Sequence, residues 1–297
     1  MAGFALKPAL QLWWKAVRPY AYSASLVPVA IGGFYARFHG GDWSPVRFGI
    51  ALLAGLLVHT AANLWNDYYD FKSGVDHAGG GVGSGVLVAG EMAPAVCFRG
   101  AVVCAALSGL LGIWLITQVG WALLWLGLFG IAGAWAYSAG PFSPKHRALG
   151  EVWVFLLMGA GMTLGGYLAQ TGCFAWRAVG VGVPAALLMT LILYVNNLRD
   201  IRSDRAAGLH TLPMLLKPLT AKLVVALVLL GAYGLASAMA IGRHVPLATL
   251  AVWLAGPLAW RLFRQTWRGP VREQEVVGAA MLHMAFGLLF AVGLWFR

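Results

Sequence analysis

Asn63, Asn66, Asp67, Asp70, Lys72 and Asp76 crowd into one short polar run, and three of the chain's six aspartates are among them. Two more, Asp200 and Asp204, stand in a second run with Asn196, Asn197, Arg199, Arg202 and Arg205. Carboxylates are hard oxygen donors. They suit Mg2+, which keeps several waters and is usually shared between one or two carboxylates and substrate phosphates. Asp67, Asp70, Asp200 and Asp204 are therefore the candidate metal ligands. Lys72, Arg199 and Arg202, interleaved with them, supply the positive charge that a departing diphosphate needs. Salt bridges at helix ends also mix these residue types, and a single such run would be read that way. Two runs with the same Asn-to-Asp spacing, holding nearly all the aspartate, favour a site.

Helices must position these groups. Residues four and seven or eight apart share a helix face, which lines up Asn63, Asp67 and Asp70, and likewise Asn196, Asp200 and Asp204. Those helices are expected to cross a membrane. Of the 297 residues 60% are hydrophobic and 10% charged, with mean hydropathy +0.76, where a soluble domain carries about 25% charge. Apolar runs long enough to span recur, and in a bilayer each must satisfy its own backbone as a helix.

The pattern predicts a single all-α polytopic membrane domain, about nine transmembrane helices around a central cavity. The expected spans are Tyr20–Phe38, Arg47 to the Asn63 run, Pro94–Ile116, Trp121–Tyr137, Glu151–Gln170, Arg177–Val195, Thr220–Ile241, Pro246–Phe263 and Glu275–Phe296. Residues 1–19, with Lys7, Lys15, Arg18 and Trp13-Trp14, read as an interfacial segment; no small-residue cleavage site marks them as a signal peptide. Sorted by alternate loops, sixteen of the 21 lysines and arginines fall on the N-terminal side, and Arg37, Arg47, Arg177, Arg243 and Arg297 on the other. The positive-inside rule then places both aspartate runs on the cytoplasmic side of the cytoplasmic membrane. An aspartate facing lipid would cost about 2.5–3.5 kcal/mol. The five must therefore face a polar cavity or a cation.

Composition narrows the partners. A net charge of +11 invites a nucleic-acid reading, but the basic residues are scattered between apolar runs. Anionic lipid and an anionic substrate are the expected partners instead. Cys97, Cys104 and Cys173 have no metal-ligand spacing and read as reduced thiols, and the seven histidines form no HExxH pattern. His59 reads as a satisfied interior histidine, and Glu151 as an acid favouring a helix start. The glycine-rich run Gly79–Gly85 lacks phosphate-loop spacing and reads as a lid or a flexible connector.

The two runs resemble the aspartate-rich motifs of the UbiA superfamily of intramembrane prenyltransferases. The resemblance is closest to the branch that prenylates 1,4-dihydroxy-2-naphthoate in menaquinone synthesis. It is carried by Asn66-Asp67-Tyr68-Tyr69-Asp70 with Lys72, Gly74 and Asp76, and by Asn196 through Arg205 with Gly208 and Thr211-Leu212. Tyr137 through Gly140-Pro141 to Glu151, and Gly166-Tyr167 to Gln170, resemble its middle segment.

The resemblance implies an Mg2+-dependent enzyme that binds a polyprenyl diphosphate through Asp67, Asp70, Asp200 and Asp204. Asn63, Asn66, Asp76 and Asn197 would support the metal or the diphosphate, and Lys72, Arg199 and Arg202 would neutralise the leaving charge. Tyr137 and Tyr194 would present aromatic faces to an allylic cation. The naphthoate's carboxylate would leave as CO2. The chain departs from that branch between His77 and Leu87, which holds no arginine, and at Leu209-His210 after Gly208. 4-Hydroxybenzoate or another lipid-quinone precursor is the alternative acceptor.

Other classes fit less well. A transporter buries carboxylates near the bilayer midplane on broken helices, whereas these stand at helix ends. The Asp-Gly-x-x-Ala-Arg motif of CDP-alcohol phosphatidyltransferases is absent.

Overall fold

Apolar runs that must satisfy their own backbone in lipid form helices, and they do so here. The computed structural model describes residues 2–77, 83–140 and 143–296, with side chains from residue 9 onward. Among the described residues, α1 (Ala2–Val17) precedes nine apolar rods. The first four are α2 (Ser23–Phe38), α3 (Pro45–Ser73), α4 (Pro94–Val119) and α5 (Ala122–Ala136). The fifth joins α6 (Gly150–Val154), a π-helical stretch (Phe155–Gly161) and α7 (Met162–Thr171). α8 (Trp176–Ala206) and α9 (Pro218–Ile241) follow. A 3-10 segment (Leu247–Ala255) leads into α10 (Gly256–Arg268), and α11 (Glu273–Trp295) completes the bundle. Six rods, of 22 to 31 residues, are long and apolar enough by themselves to cross a bilayer. The chain is an integral membrane protein.

Two expected boundaries move. α3 and α8 do not stop near Asn63 and Val195 but run on for about three turns, to Ser73 and Ala206. The second aspartate run is therefore helical throughout, and the first as far as Ser73, with Asp76 beyond the helix end. Local pairing supports the extension: Asn66 Nδ2 donates to Asp70 Oδ2 at 2.8 Å and Asn196 Nδ2 to Asp200 Oδ2 at 3.3 Å, the i,i+4 bridge that helices favour. Gly74, at φ 77°, closes α3 in the left-handed conformation open to glycine. The first rod starts at Ser23 rather than Tyr20, because Pro19–Ala21 forms a separate 3-10 turn.

The main core lies between α2, α7, α8, α9 and α11, where Ile31, Leu168, Leu188, Leu191, Tyr194, Phe286 and Phe290 are buried. α2 and α7 approach so closely that a Cβ at Gly32 or Gly166 would strike the backbone carbonyl of Thr163 or Val29. A smaller core joins α1, α3 and α4 through Ala16, Leu64, Trp65 and Cys97. Outward faces carry Leu110, Trp125, Leu227, Leu230 and Leu254, which suits lipid contact. The C-terminal ends of α3 and α8 come together at one end of the bundle, with the loops holding Arg18 and Lys145 and the start of α11.

Candidate active site

At that end the polar groups converge on the mouth of a cavity of about 750 Å3. Asn63, Asn66, Asp70, Asp76, Asn196, Asn197, Asp200 and Asp204 all line it, together with Tyr137, Arg199, Arg18 and Lys145. Deeper, its walls are apolar or small: Val58 on α3, Gly109 and Gly112 on α4, Gly127 and Ile131 on α5, and Leu157 and Met158 on the π-helical stretch. Such wide turns inside helices are frequent at functional sites. The cavity thus joins a charged mouth to a dry interior large enough for a substantial apolar ligand.

The carboxylates of α3 are closed in by cations from elsewhere in the chain. Asp70 is 2% exposed and is held by the Lys145 ammonium. Its other oxygen has no hydrogen-bond partner among the described residues and lies 3.9 Å from His146 Nε2. Two anchors fix the loop carrying Lys145. Ser143 Oγ donates to the Tyr137 carbonyl at 2.6 Å, and the Ala148 amide donates to the His210 carbonyl at 2.7 Å. Asn66 reaches Ser138 Oγ at 3.0 Å while it bridges to Asp70.

Asp67 does not line the cavity. It sits behind Arg18, with which it is paired, and under the returning chain, whose Ser84 amide donates to both its oxygens at 3.3 Å. A Cβ at Gly83 would meet the ends of the Asp67 and Arg18 side chains, so the glycine backbone passes close over the pair. Of the expected Gly79–Gly85 lid, residues 79–82 lie outside the described residues; Gly83–Gly85 fold over this pair. Asp76 accepts from the Gly83 amide at 3.0 Å. Burial, reinforced by the charge of Asp70, raises its carboxyl above the ordinary aspartate value, against the Gly83 amide, Lys145 and Arg18.

The second run pairs differently. Arg199 donates through Nε to Asp200 Oδ1 at 2.7 Å, through its terminal nitrogens to Asn196 Oδ1 at 3.0 Å, and also to Glu273 at the start of α11. Asn197 donates to buried Glu151 Oε1 at 2.9 Å. Asn63 donates to the Val17 carbonyl at 3.4 Å, holding α3 to the end of α1.

Besides Asp67, three expected site residues stand off the cavity. Lys72 and Arg202 are exposed and do not line the cavity; Lys72 Nζ lies 5.9 Å from the centre of the Tyr68 ring. Each follows an aspartate by two residues, which turns it to the opposite side of its helix. Tyr194 is packed in the main core and donates its hydroxyl to the Ala221 carbonyl at 2.9 Å. Conversely, Arg18, Lys145, Ser138 and Glu273 belong to the site without having been singled out. His59 lines the cavity and is hydrogen-bonded to Ser25 Oγ at 3.2 Å, the satisfied interior histidine expected.

The donor set fits a hard divalent cation. Asp70, Asp200 and Asp204 face one space, and Asp70 keeps a buried oxygen free of hydrogen bonds. Among the described residues, no three histidine, cysteine, aspartate or glutamate side chains are close enough to hold an ion by themselves. An ion held there would need water or phosphate oxygens to complete its shell, as Mg2+ uses elsewhere.

Comparison with known proteins agrees with this arrangement. Residues 25–289 match the UbiA prenyltransferase family. Over 207 residues the chain is 32% identical to the 1,4-dihydroxy-2-naphthoate octaprenyltransferase of Bacillus subtilis strain 168, covering 69% of this chain and 66% of that protein. It is 32% identical over 286 residues to UbiA prenyltransferase domain-containing protein 1 of Homo sapiens, covering 94% of this chain and 82% of that one. The fold is shared with the apo structure of a UbiA homolog from Aeropyrum pernix K1, at TM-score 0.71 and 18% identity over 93% of this chain and 97% of the other. It is shared also with a UbiA homolog from Archaeoglobus fulgidus bound to DMAPP and Mg2+, at TM-score 0.64 and 18% identity over 94% and 99%. A charged mouth over an apolar cavity, on this fold and with these relatives, makes the chain a member of the UbiA prenyltransferase family and a prenyltransferase.

Proposed function

We propose that the enzyme transfers a polyprenyl group from its diphosphate to 1,4-dihydroxy-2-naphthoate, with loss of the acceptor's carboxylate, on the cytoplasmic face of the cytoplasmic membrane. The observation that carries this reading is the junction of carboxylates and cations with an apolar cavity of about 750 Å3. A diphosphate needs the first and an isoprenoid tail the second. The 32% identity to a naphthoate octaprenyltransferase supports the acceptor, and the crowding of lysine and arginine at the aspartate-bearing end supports the orientation.

Asp70, Asp200 and Asp204 would hold Mg2+, with Asp67 behind them. An ion held there would supply positive charge to the diphosphate oxygens as they leave. Lys145 and Arg18 reach the same mouth and would bind the diphosphate as its charge grows; Arg199 would do so from α8. The bond from the prenyl C1 to the diphosphate oxygen breaks, and a ring carbon of the acceptor forms the new C–C bond. When that carbon bears the carboxylate, CO2 leaves and its bonding pair restores the aromatic ring. Tyr137 stands beside the cavity with its ring available to an allylic cation. The apolar walls exclude water that would otherwise capture that cation.

The test is to incubate the purified protein and Mg2+ with geranylgeranyl diphosphate and a panel of phenolic acceptors, reading products by mass. A naphthoate product that has lost the mass of CO2 is expected. A product formed only with 4-hydroxybenzoate, its carboxylate retained, would overturn the acceptor assignment.

A further inference from the structure

The far end of α8 from the aspartates borders a second concavity, of about 490 Å3, lined by Tyr35, Phe38, His39, Arg177, Arg243 and His244. Three elements meet there: the last turn of α2, the first turn of α8 and the turn after α9. α8 separates Arg177 from Asp200 by about 35 Å at 1.5 Å per residue, so this is a different site from the prenyl-transfer cavity. It stands at the opposite face of the bundle.

Its charge is one-sided. Two arginines line it, with two histidines, and among the described residues no carboxylate does. The one aspartate nearby in sequence, Asp42, is 98% exposed at its side chain and contacts Arg47 at 3.5 Å. Neither Arg177 nor Arg243 has an acidic partner among the described residues. Such cations placed together without counter-charge repel one another, and an anion relieves the repulsion.

The backbone is constrained at the same point. Among the described residues only Arg18, Ala148 and Arg243 combine a side chain with a positive φ, Arg243 at 57°. The first two frame the prenyl-transfer site, where Arg18 meets Asp67 and Ala148 anchors the Lys145 loop. At Arg243 the left-handed backbone closes α9, where the His244 amide donates to the Met239 carbonyl at 2.9 Å. Arg243 lines the concavity from this turn. The floor is aromatic: Tyr35 is 3% exposed, and the His39 ring meets it edge-on at 5.3 Å.

We propose that this concavity binds a phosphate group at the membrane face opposite the aspartates. Paired guanidinium forks match phosphate oxygens in two-pronged geometry, and the histidines add donors. The phosphate could arrive on an anionic phospholipid or as the free ion.

The experiment uses the whole protein in detergent. Phosphatidylglycerol is titrated in one arm and inorganic phosphate in the other, with binding followed by native mass spectrometry. R177Q/R243Q is expected to weaken binding about tenfold or more, as loss of charge-assisted hydrogen bonds implies. R268Q, which removes an exposed arginine at the other end, should leave it unchanged. R177K/R243K keeps the charge without the fork and should fall between; it also decides the matter if R177Q/R243Q does not fold. Weakening in the phosphatidylglycerol arm alone identifies a lipid phosphate, and weakening in the inorganic phosphate arm identifies the free ion. Equal affinity of wild type and both double variants in both arms would overturn the proposal.

Discussion

The two aspartate-bearing helix ends share a sequence pattern and differ in how their charge is balanced. Both use an asparagine bridging to an aspartate four residues on, Asn66 to Asp70 and Asn196 to Asp200. On α3 the carboxylates are buried, and their cations come from distant segments, Arg18 and Lys145. On α8 the Asp200 side chain is 22% exposed and is gripped by Arg199, its own neighbour. The first end is a fixed, closed half-site built by tertiary structure. The second is a local, more open half-site whose arginine also reaches α11. Burial, more than residue type, separates the roles available to like carboxylates.

The comparison can be broken most directly through activity. Asp70→Asn and Asp200→Asn should each lower prenyl transfer by about 10²–10³-fold, the usual scale for removing one charge-stabilising group. Full turnover in either variant, assayed with purified protein, would mean that its half-site takes no part.

Stability should then part the two ends. Asp67→Asn leaves Arg18 buried beside a neutral side chain and should cost about 3–5 kcal/mol. Asp200→Asn opens a pair that water can reach and should cost less than about 1 kcal/mol. Denaturation in detergent measures both, and equal losses would contradict the division.

Substrate affinity comes next. Lys145→Ala should raise the KM for the prenyl diphosphate about tenfold, the loss expected for one charge-assisted hydrogen bond. Lys72→Ala, on the opposite side of α3, should change it less than about twofold.

The smallest effect is in pH. The Asp76 carboxyl is raised above its ordinary value by burial and by Asp70. It therefore takes up a proton at a higher pH than a free aspartate, and the negative charge that attracts Mg2+ begins to fade there on acidification. In Asp76→Asn this upper part of the decline in Mg2+ affinity should disappear. The KM for Mg2+ against pH reads it directly.

Much of this was legible in the residues themselves. Apolar runs predicted the rods, because lipid leaves the backbone no other choice. The aspartates pointed to the candidate site, because charge in such a chain must face something polar. What stayed hidden was pairing across the chain: Lys145 meets Asp70 from 75 residues away, and no spacing rule carries that distance. Arg18 was counted only as one of many cations on its side. Tyr194 misled because α8 is apolar around most of its circumference, which leaves no stripe to say which face meets the cavity. Lys72 and Arg202 could have been sorted, since two residues along a helix is half a turn.

Gly83 and Ser84, folded over the Arg18–Asp67 pair, have a consequence for ionic strength. Counter-ions screen exposed charges over a Debye length of about 10 Å at 0.1 M salt, and sealed pairs far less. The α3 half-site keeps its field as salt rises, while the water-facing Arg199–Glu273 contact on the α8 side fades. Salt therefore acts on this enzyme from one side of its mouth.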